Sequence, residues 1–384
     1  MPVITDPIYV LSVLSLLVAF SEWLCRKRAF RQVGSALVVI ITGAVLANAG
    51  LLPSSSNAPP LYDGIFGYVA PLAIFFLLLD VRLKDLRAAG LPMIALFLVG
   101  SATTILGTLV GYHLVAQSAH GIPNAHAVAG MFTGTYIGGS VNLNAVALHY
   151  GVTKDGTLFA AINAADNVIT TIWIIATLLL PRLLQRWLPR RPVNPAVVAK
   201  GLADGVPLDG KENVDVFGLS ILLGLGSATL FVSQLCSRYV PAIPSILILT
   251  TIALALAQVP AVHKLRGAKT LGYFAVLLFL AVVGAYCDLG ALIANGSVAI
   301  LLLEWVTIIV AIHGVLLFLL GGLLKGDWAV VSIASNANIG GATSAGVLAT
   351  ALGREDLRLP GILVGSLGNA IGTYAGVIVA EWLK

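Results

Sequence analysis

The chain has 384 residues, of which 58% are hydrophobic and only 10% charged, against about 25% charged in an ordinary soluble domain. So few charges cannot cover a water-exposed surface, which excludes a soluble enzyme, a nucleic-acid binder and a disordered scaffold and makes a lipid bilayer the expected solvent. The net charge of +5, from 22 Lys and Arg against 17 Asp and Glu, fits loops held on the cytoplasmic face better than a polyanionic partner.

Apolar stretches lie at 6–24, 34–50, 65–80, 91–116, 125–150 and 157–180. The first reads as a retained span, because it lacks a basic leading segment and a small-residue cleavage site. A polar segment, 181–213, follows and carries Arg182, Arg186, Arg190, Arg191, Lys200 and Lys211. Apolar stretches resume at 214–233, 242–260, 270–287, 296–320, 328–352 and 359–381. The expected organisation is a first half, 1–180, a cytoplasmic linker, 181–213, and a second half, 214–384. Cys25, Cys236 and Cys287 are far apart and read as inert apolar side chains.

The halves resemble each other. A slide of 202 residues puts Ile137-Gly138-Gly139 on Ile339-Gly340-Gly341, Asn167 on Asn369, Ile169 on Ile371 and Thr171 on Thr373. An internal duplication follows, and such repeats mark secondary transporters. Positive charge then sets topology. If every apolar stretch crosses the membrane, Lys and Arg divide 11 inside and 11 outside. If 125–150 and 328–352 each dip in and return, the division becomes 19 inside and 3 outside, the asymmetry that loops near a membrane obey. The sequence thus predicts an all-α polytopic protein of inverted-topology repeats, with about ten transmembrane helices, two broken or re-entrant segments, and scaffold and core domains.

The centre of each dipping segment is polar. Gly134 to Asn144 contains Thr135, Tyr136, Gly138, Gly139, Ser140, Asn142 and Asn144; its counterpart contains Asn336, Asn338, Gly340, Gly341, Thr343 and Ser344. Paired glycines permit a chain reversal, and backbone freed at mid-membrane is tolerated only against protein or a water-filled cavity. A helix starting after the glycines offers N–H groups to an anion, and one ending there offers carbonyls to a cation. Close packing of small residues is the alternative, which the crowding asparagines disfavour.

The following spans add Asn163, Asp166, Asn167 and Thr170 in the first half and Asn369 and Thr373 in the second. An ionisable group inside a span is costly and functional by default, so Asp166 is the leading single residue. Asp166, Asn167 and Asn369 are the candidate ligands for Na⁺. Glu304 and His313 read equally as a proton path or as buried hydrogen-bonding groups, and the six tryptophans read mostly as interfacial anchors. No phosphate-binding glycine loop followed by Lys-Ser/Thr is present, so no cofactor beyond a coupling Na⁺ or H⁺ is expected.

Residues 134–145, 335–345 and 368–374 together resemble the DUF819 integral membrane family. More distantly, the design is similar to sodium-coupled carboxylate and glutamate carriers and to the bile-acid and sodium/proton exchanger superfamily. That resemblance implies a scaffold and a mobile core, with residues 138–139 and 340–341 at substrate-facing tips. The expected function is non-enzymatic: sodium-coupled secondary transport of a small organic anion, in a multi-pass homodimer of the bacterial inner membrane, with no nucleic-acid partner. A monovalent cation/proton antiporter is the alternative of the same fold, and a membrane receptor or structural protein is the alternative outside it.

Overall fold

Four helices, three of them long, begin at an aspartate whose carboxylate accepts first-turn N–H groups that have no partner within the helix. Asp6 accepts from the N–H of Ile8 and Tyr9, Asp155 from Leu158, Asp215 from Gly218 and Asp327 from Ala329. The computed structural model describes residues 4–27, 35–54, 57–81, 83–116, 121–188, 214–240, 243–287, 296–324 and 326–384.

In the first half the helices are α1 (Pro7–Cys25), α2 (Ser35–Asn48), α3 (Pro60–Leu78), α4 (Leu91–Val115), α5 (Ala125–Gly138), α6 (Ser140–His149) and α7 (Gly156–Trp187). In the second they are α8 (Val216–Tyr239), α9 (Ser245–Leu256), α10 (Ala268–Ala285), α11 (Gly296–Leu323), α12 (Trp328–Ile339), α13 (Gly341–Ala351) and α14 (Arg358–Leu383). Eight of them are long and apolar enough to cross a membrane, and α2 and α9 are shorter apolar helices. The order of long, short and paired elements recurs from one half to the other. No strand occurs among the described residues.

Pro181, where the sequence suggests the first half ends, lies inside α7. Proline costs an interior helix one hydrogen bond, but here the helix continues to Trp187. The rest of the expected linker, 189–213, lies outside the described residues.

Packing joins the halves. The most extensive helix contacts are α5 with α14, α4 with α11, and α10 with α2 and α3. The large buried side chains Trp305, Tyr136, Phe132, Phe159 and Phe279 fill the centre of the bundle. Trp305 and Trp328 are core residues, contrary to the interfacial reading, whereas Trp23 and Trp382 are exposed. The exposed apolar side chains of α1, α7 and α8, such as Ile8, Ile172 and Phe217, form the outer surface that the composition requires for contact with lipid.

Candidate functional site

Gly139 (φ 102°, ψ 177°) separates α5 from α6, and Gly341 (φ 77°) opens α13. These backbone conformations suit glycine alone. The chain reverses at both. Gly134 rests on Asn142 and Gly130 on Val146, so α6 runs back along α5. Likewise Ile333 and Ala345 flank Gly361 together, and Ser344 Oγ donates to Asn336 O at 3.4 Å. The two segments are therefore helical hairpins. Their turns touch: a Cβ on Gly341 would lie 3.4 Å from Gly138 O and 3.7 Å from Gly139 Cα.

Neither α6 nor α13 has a side-chain cap. The Asn142 N–H returns to Gly139 O at 3.0 Å; the other first-turn N–H groups give each helix start the positive end of its dipole. Two such ends meet at one point inside the bundle.

The first hairpin is clamped to α14. Gly138 and Gly368 pack backbone to backbone, and Gly130 packs on Gly376 in the same way. Asn142 spans the gap: its Nδ2 donates to Gly368 O at 3.3 Å and its Oδ1 accepts from Thr373 Oγ1 at 2.8 Å. Both sides of this amide are thus satisfied within the protein, which makes Asn142 and Thr373 a fastening.

The second hairpin is held by polar side chains. His313 is fully buried, with Nδ1 3.0 Å from Gly100 O and Nε2 2.9 Å from Ser335 Oγ. Trp173 Nε1 donates to Ser335 Oγ at 3.0 Å. A neutral imidazole with its proton on Nδ1 satisfies all of these partners. His313 therefore joins α4, α7, α11 and α12 as a hydrogen-bonding core residue, while Glu304 is exposed and takes no part. Asn336 Nδ2 donates to Thr177 Oγ1 at 3.0 Å, and the Asn338 amide lies 2.9 Å from Ser101 Oγ, a contact that either amide orientation satisfies. At the hairpin base Arg354 bridges Asp327 at 2.6 Å and Asp356 at 2.8 Å. The hydrogen bonds it donates to Asp356 and then to Asp327 hold the Arg354 guanidinium above its ordinary pKa despite partial burial.

Asp166 on α7 faces Tyr136 on α5 and, one turn along its own helix, Thr170. Asp166 is 9% exposed and Tyr136 is completely buried. Yet Tyr136 Oη, Asp166 Oδ1 and Thr170 Oγ1 close no well-formed hydrogen bond, in contrast to nearly all buried polar atoms in folded proteins. Asn144 Oδ1 and Asn336 Oδ1 are likewise unpartnered.

Two cavities lie at opposite ends of α3. One, of about 890 Å³, reaches from Asp80, Asp85, Lys269 and Arg358 down to Val141, Ala342, Thr343, Ser366 and Asn369. Val141 and Ala342 each stand just past one of the glycine turns. The other, of about 330 Å³, is lined at the far end of α3 by Asp63, Phe66 and Pro71, with His149, Lys154, Ser233 and Ser245. Helix α6 runs from the larger to the smaller.

The expected site residues therefore divide. Thr343 and Asn369 line the larger cavity. Ser140 is exposed, and Thr135, Asn144, Asn163 and Asn338 are buried. Asn167 donates to Asn163 O on its own helix at 2.8 Å, and Ser344 Oγ donates to Gly341 O at 3.0 Å. The supporting groups Ser101, Thr177, Trp173, Ser335 and Gly368 escape sequence reasoning. Two of them carried a signal there, Ser335 and Gly368 as members of the family-like stretches and Gly368 also as the position matching Asp166 after the 202-residue slide.

The eight long apolar helices among the described residues, packed with two paired hairpins, define a multi-spanning α-helical membrane protein. The chain belongs to the DUF819 family: the family model described as a protein of unknown function (DUF819) matches residues 10–384. It is 28% identical over 372 residues to the uncharacterized membrane protein YjcL of Bacillus subtilis (strain 168), covering 92% of this chain and 90% of that relative.

Proposed function

We propose that this protein is a secondary active transporter that moves a small organic anion by alternating access, coupled to Na⁺. One observation carries this reading: the two glycine turns abut, and the residues just past each line a single cavity. Uncapped helix starts at that depth attract a negative group. The walls nearer the mouth, with Lys269 and Arg358 against Asp80 and Asp85, are balanced in sign, so the anion preference rests on the helix ends. The volume suits a small metabolite.

Alternating access needs a route to each face. The larger cavity opens beside the basic loop after α3, which the positive-charge asymmetry assigns to the cytoplasm, and the smaller lies toward the other side. The recurring element order and the 202-residue slide support inverted repeats, with the hairpins, α7 and α14 as a moving core. In that arrangement α1, α2, α8 and α9 form a scaffold and the contact between two copies in a bacterial inner membrane. The design is then similar to carboxylate carriers with paired hairpins. Uptake into sodium-gradient proteoliposomes, screened over carboxylates and amino acids, tests the reading. Saturable, sodium-driven uptake of an anion is expected; its absence across the screen, with correctly inserted protein, counts against it.

The buried carboxylate of Asp166 favours a second reading, cation/proton antiport through the same bundle. Sodium-driven proton movement in vesicles without any organic solute distinguishes it.

A further inference from the structure

Three oxygen atoms stand near one another, close to the first glycine turn, without closing a well-formed hydrogen bond: Tyr136 Oη, Asp166 Oδ1 and Thr170 Oγ1. We infer that they form a buried binding site for a single monovalent cation, Na⁺ being the ion that fits the coupling proposed above. The inference rests on that transport reading for its purpose, though not for its chemistry.

Burying an unpartnered hydroxyl costs about 1–3 kcal/mol, and an unpaired carboxylate costs more. Three of them together are retained where a ligand satisfies them. Asp166 makes no ion pair among the described residues, and a cation is the ligand that would supply its ionised carboxylate with a counter-charge there. One carboxylate and two neutral oxygens balance a single positive charge. A calcium site wants six to eight oxygens and usually several carboxylates, and no group of three His, Cys, Asp or Glu able to hold a metal occurs among the described residues.

Position supports the same conclusion. Tyr136 lies in the last turn of α5, whose C-terminal carbonyls are the negative end of that helix dipole. The same turn that gives α6 a positive start therefore gives α5 a negative finish. A cation behind the turn and an anion in front of it would each stabilise the other's binding across one glycine. This ligand set differs from the one the sequence suggested. Asn167 is engaged by its own helix and Asn369 lines the cavity, while Tyr136 and Thr170 stand with Asp166.

Purified full-length protein melted in NaCl or in choline chloride at equal ionic strength tests the site without any transport. A saturable rise in midpoint with Na⁺ is expected, since a ligand that binds only the folded state stabilises it. Asp166→Asn should abolish the rise, and Tyr136→Phe and the isosteric Thr170→Val should each weaken sodium affinity by about tenfold or more. Thr170→Val serves if Asp166→Asn does not fold. Equal midpoints in the two salts, or an undiminished sodium response in Thr170→Val and Tyr136→Phe, overturn the site. Sodium-driven anion uptake in proteoliposomes alongside either result would leave the transport reading standing; sodium binding with no uptake would do the reverse.

Discussion

The two hairpins are built alike and held differently. The first is buried along most of both arms, opening at Ser140 and Val141 beside its turn and at the far end of α6, and α14 grips it through glycine backbone contacts and the Asn142 amide. In the second, α14 also packs through glycine, Gly365 against the Ala342 backbone, and α12 is buried and fastened by side chains, but α13 turns Thr343, Val347 and Thr350 toward the large cavity. Matching positions in the two halves sharpen the contrast: Gly368 allows α14 to touch Gly138, whereas its counterpart on α7 is Asp166. The difference teaches that repeated backbone does not mean repeated chemistry. The second half supplies the gripping helix α14 and the open wall of α13, and the first supplies the buried carboxyl group of Asp166.

The largest effect should come from spoiling the joint. A Cβ on Gly368 would run into Ile137 O and Gly138, and neither backbone can retreat. Gly368→Val should cost more than about 3 kcal/mol and yield little monodisperse protein on size exclusion. Next, Asn142→Ala strips the acceptor from Thr373 and one donor from Gly368 O. A loss of about 1–3 kcal/mol is expected, visible as a lower melting midpoint. Asn336→Ala removes one hydrogen bond, to Thr177, and should cost about 1 kcal/mol. If its loss instead exceeds that of Asn142→Ala, the second hairpin is the tighter of the two and the contrast is reversed. Arg354→Met at the base of the second hairpin should cost about 1 kcal/mol or less, and less still in high salt. Accessibility offers a direct comparison without energetics. In a background lacking Cys25, Cys236 and Cys287, Thr343→Cys should react readily with a water-soluble thiol reagent, while Asn144→Cys should be protected.

Much of this was legible in the sequence. Apolar stretches located the helices, most to within a few residues, because hydrocarbon thickness dictates their length; of about ten expected spans, eight are long enough to cross and α2 and α9 are shorter. The two reversals were marked by Gly138-Gly139 and Gly340-Gly341, set among amides that packing alone would not use. What spacing could not supply was partners across the bundle. Asn142 reads as a ligand until Thr373, 231 residues away, is seen to hold it. Tyr136 meets Asp166 and Thr170 only because its side chain reaches from α5 toward α7, and His313 is a core hub only because Gly100 and Ser335 surround it. Pro181 reads as a boundary because proline usually ends a soluble helix, whereas within membrane helices it is better tolerated.

The central claim is that one hairpin enters from each face of the membrane and that they meet at their glycine turns. Lys154 follows the first hairpin and Glu355 the second, and both are exposed. Cysteines placed singly at these positions, in the same cysteine-free background, can be labelled in sealed cells with a thiol reagent that does not cross membranes. The account predicts that Lys154→Cys is labelled from outside and Glu355→Cys only after permeabilisation. Labelling of both from the same side would contradict it.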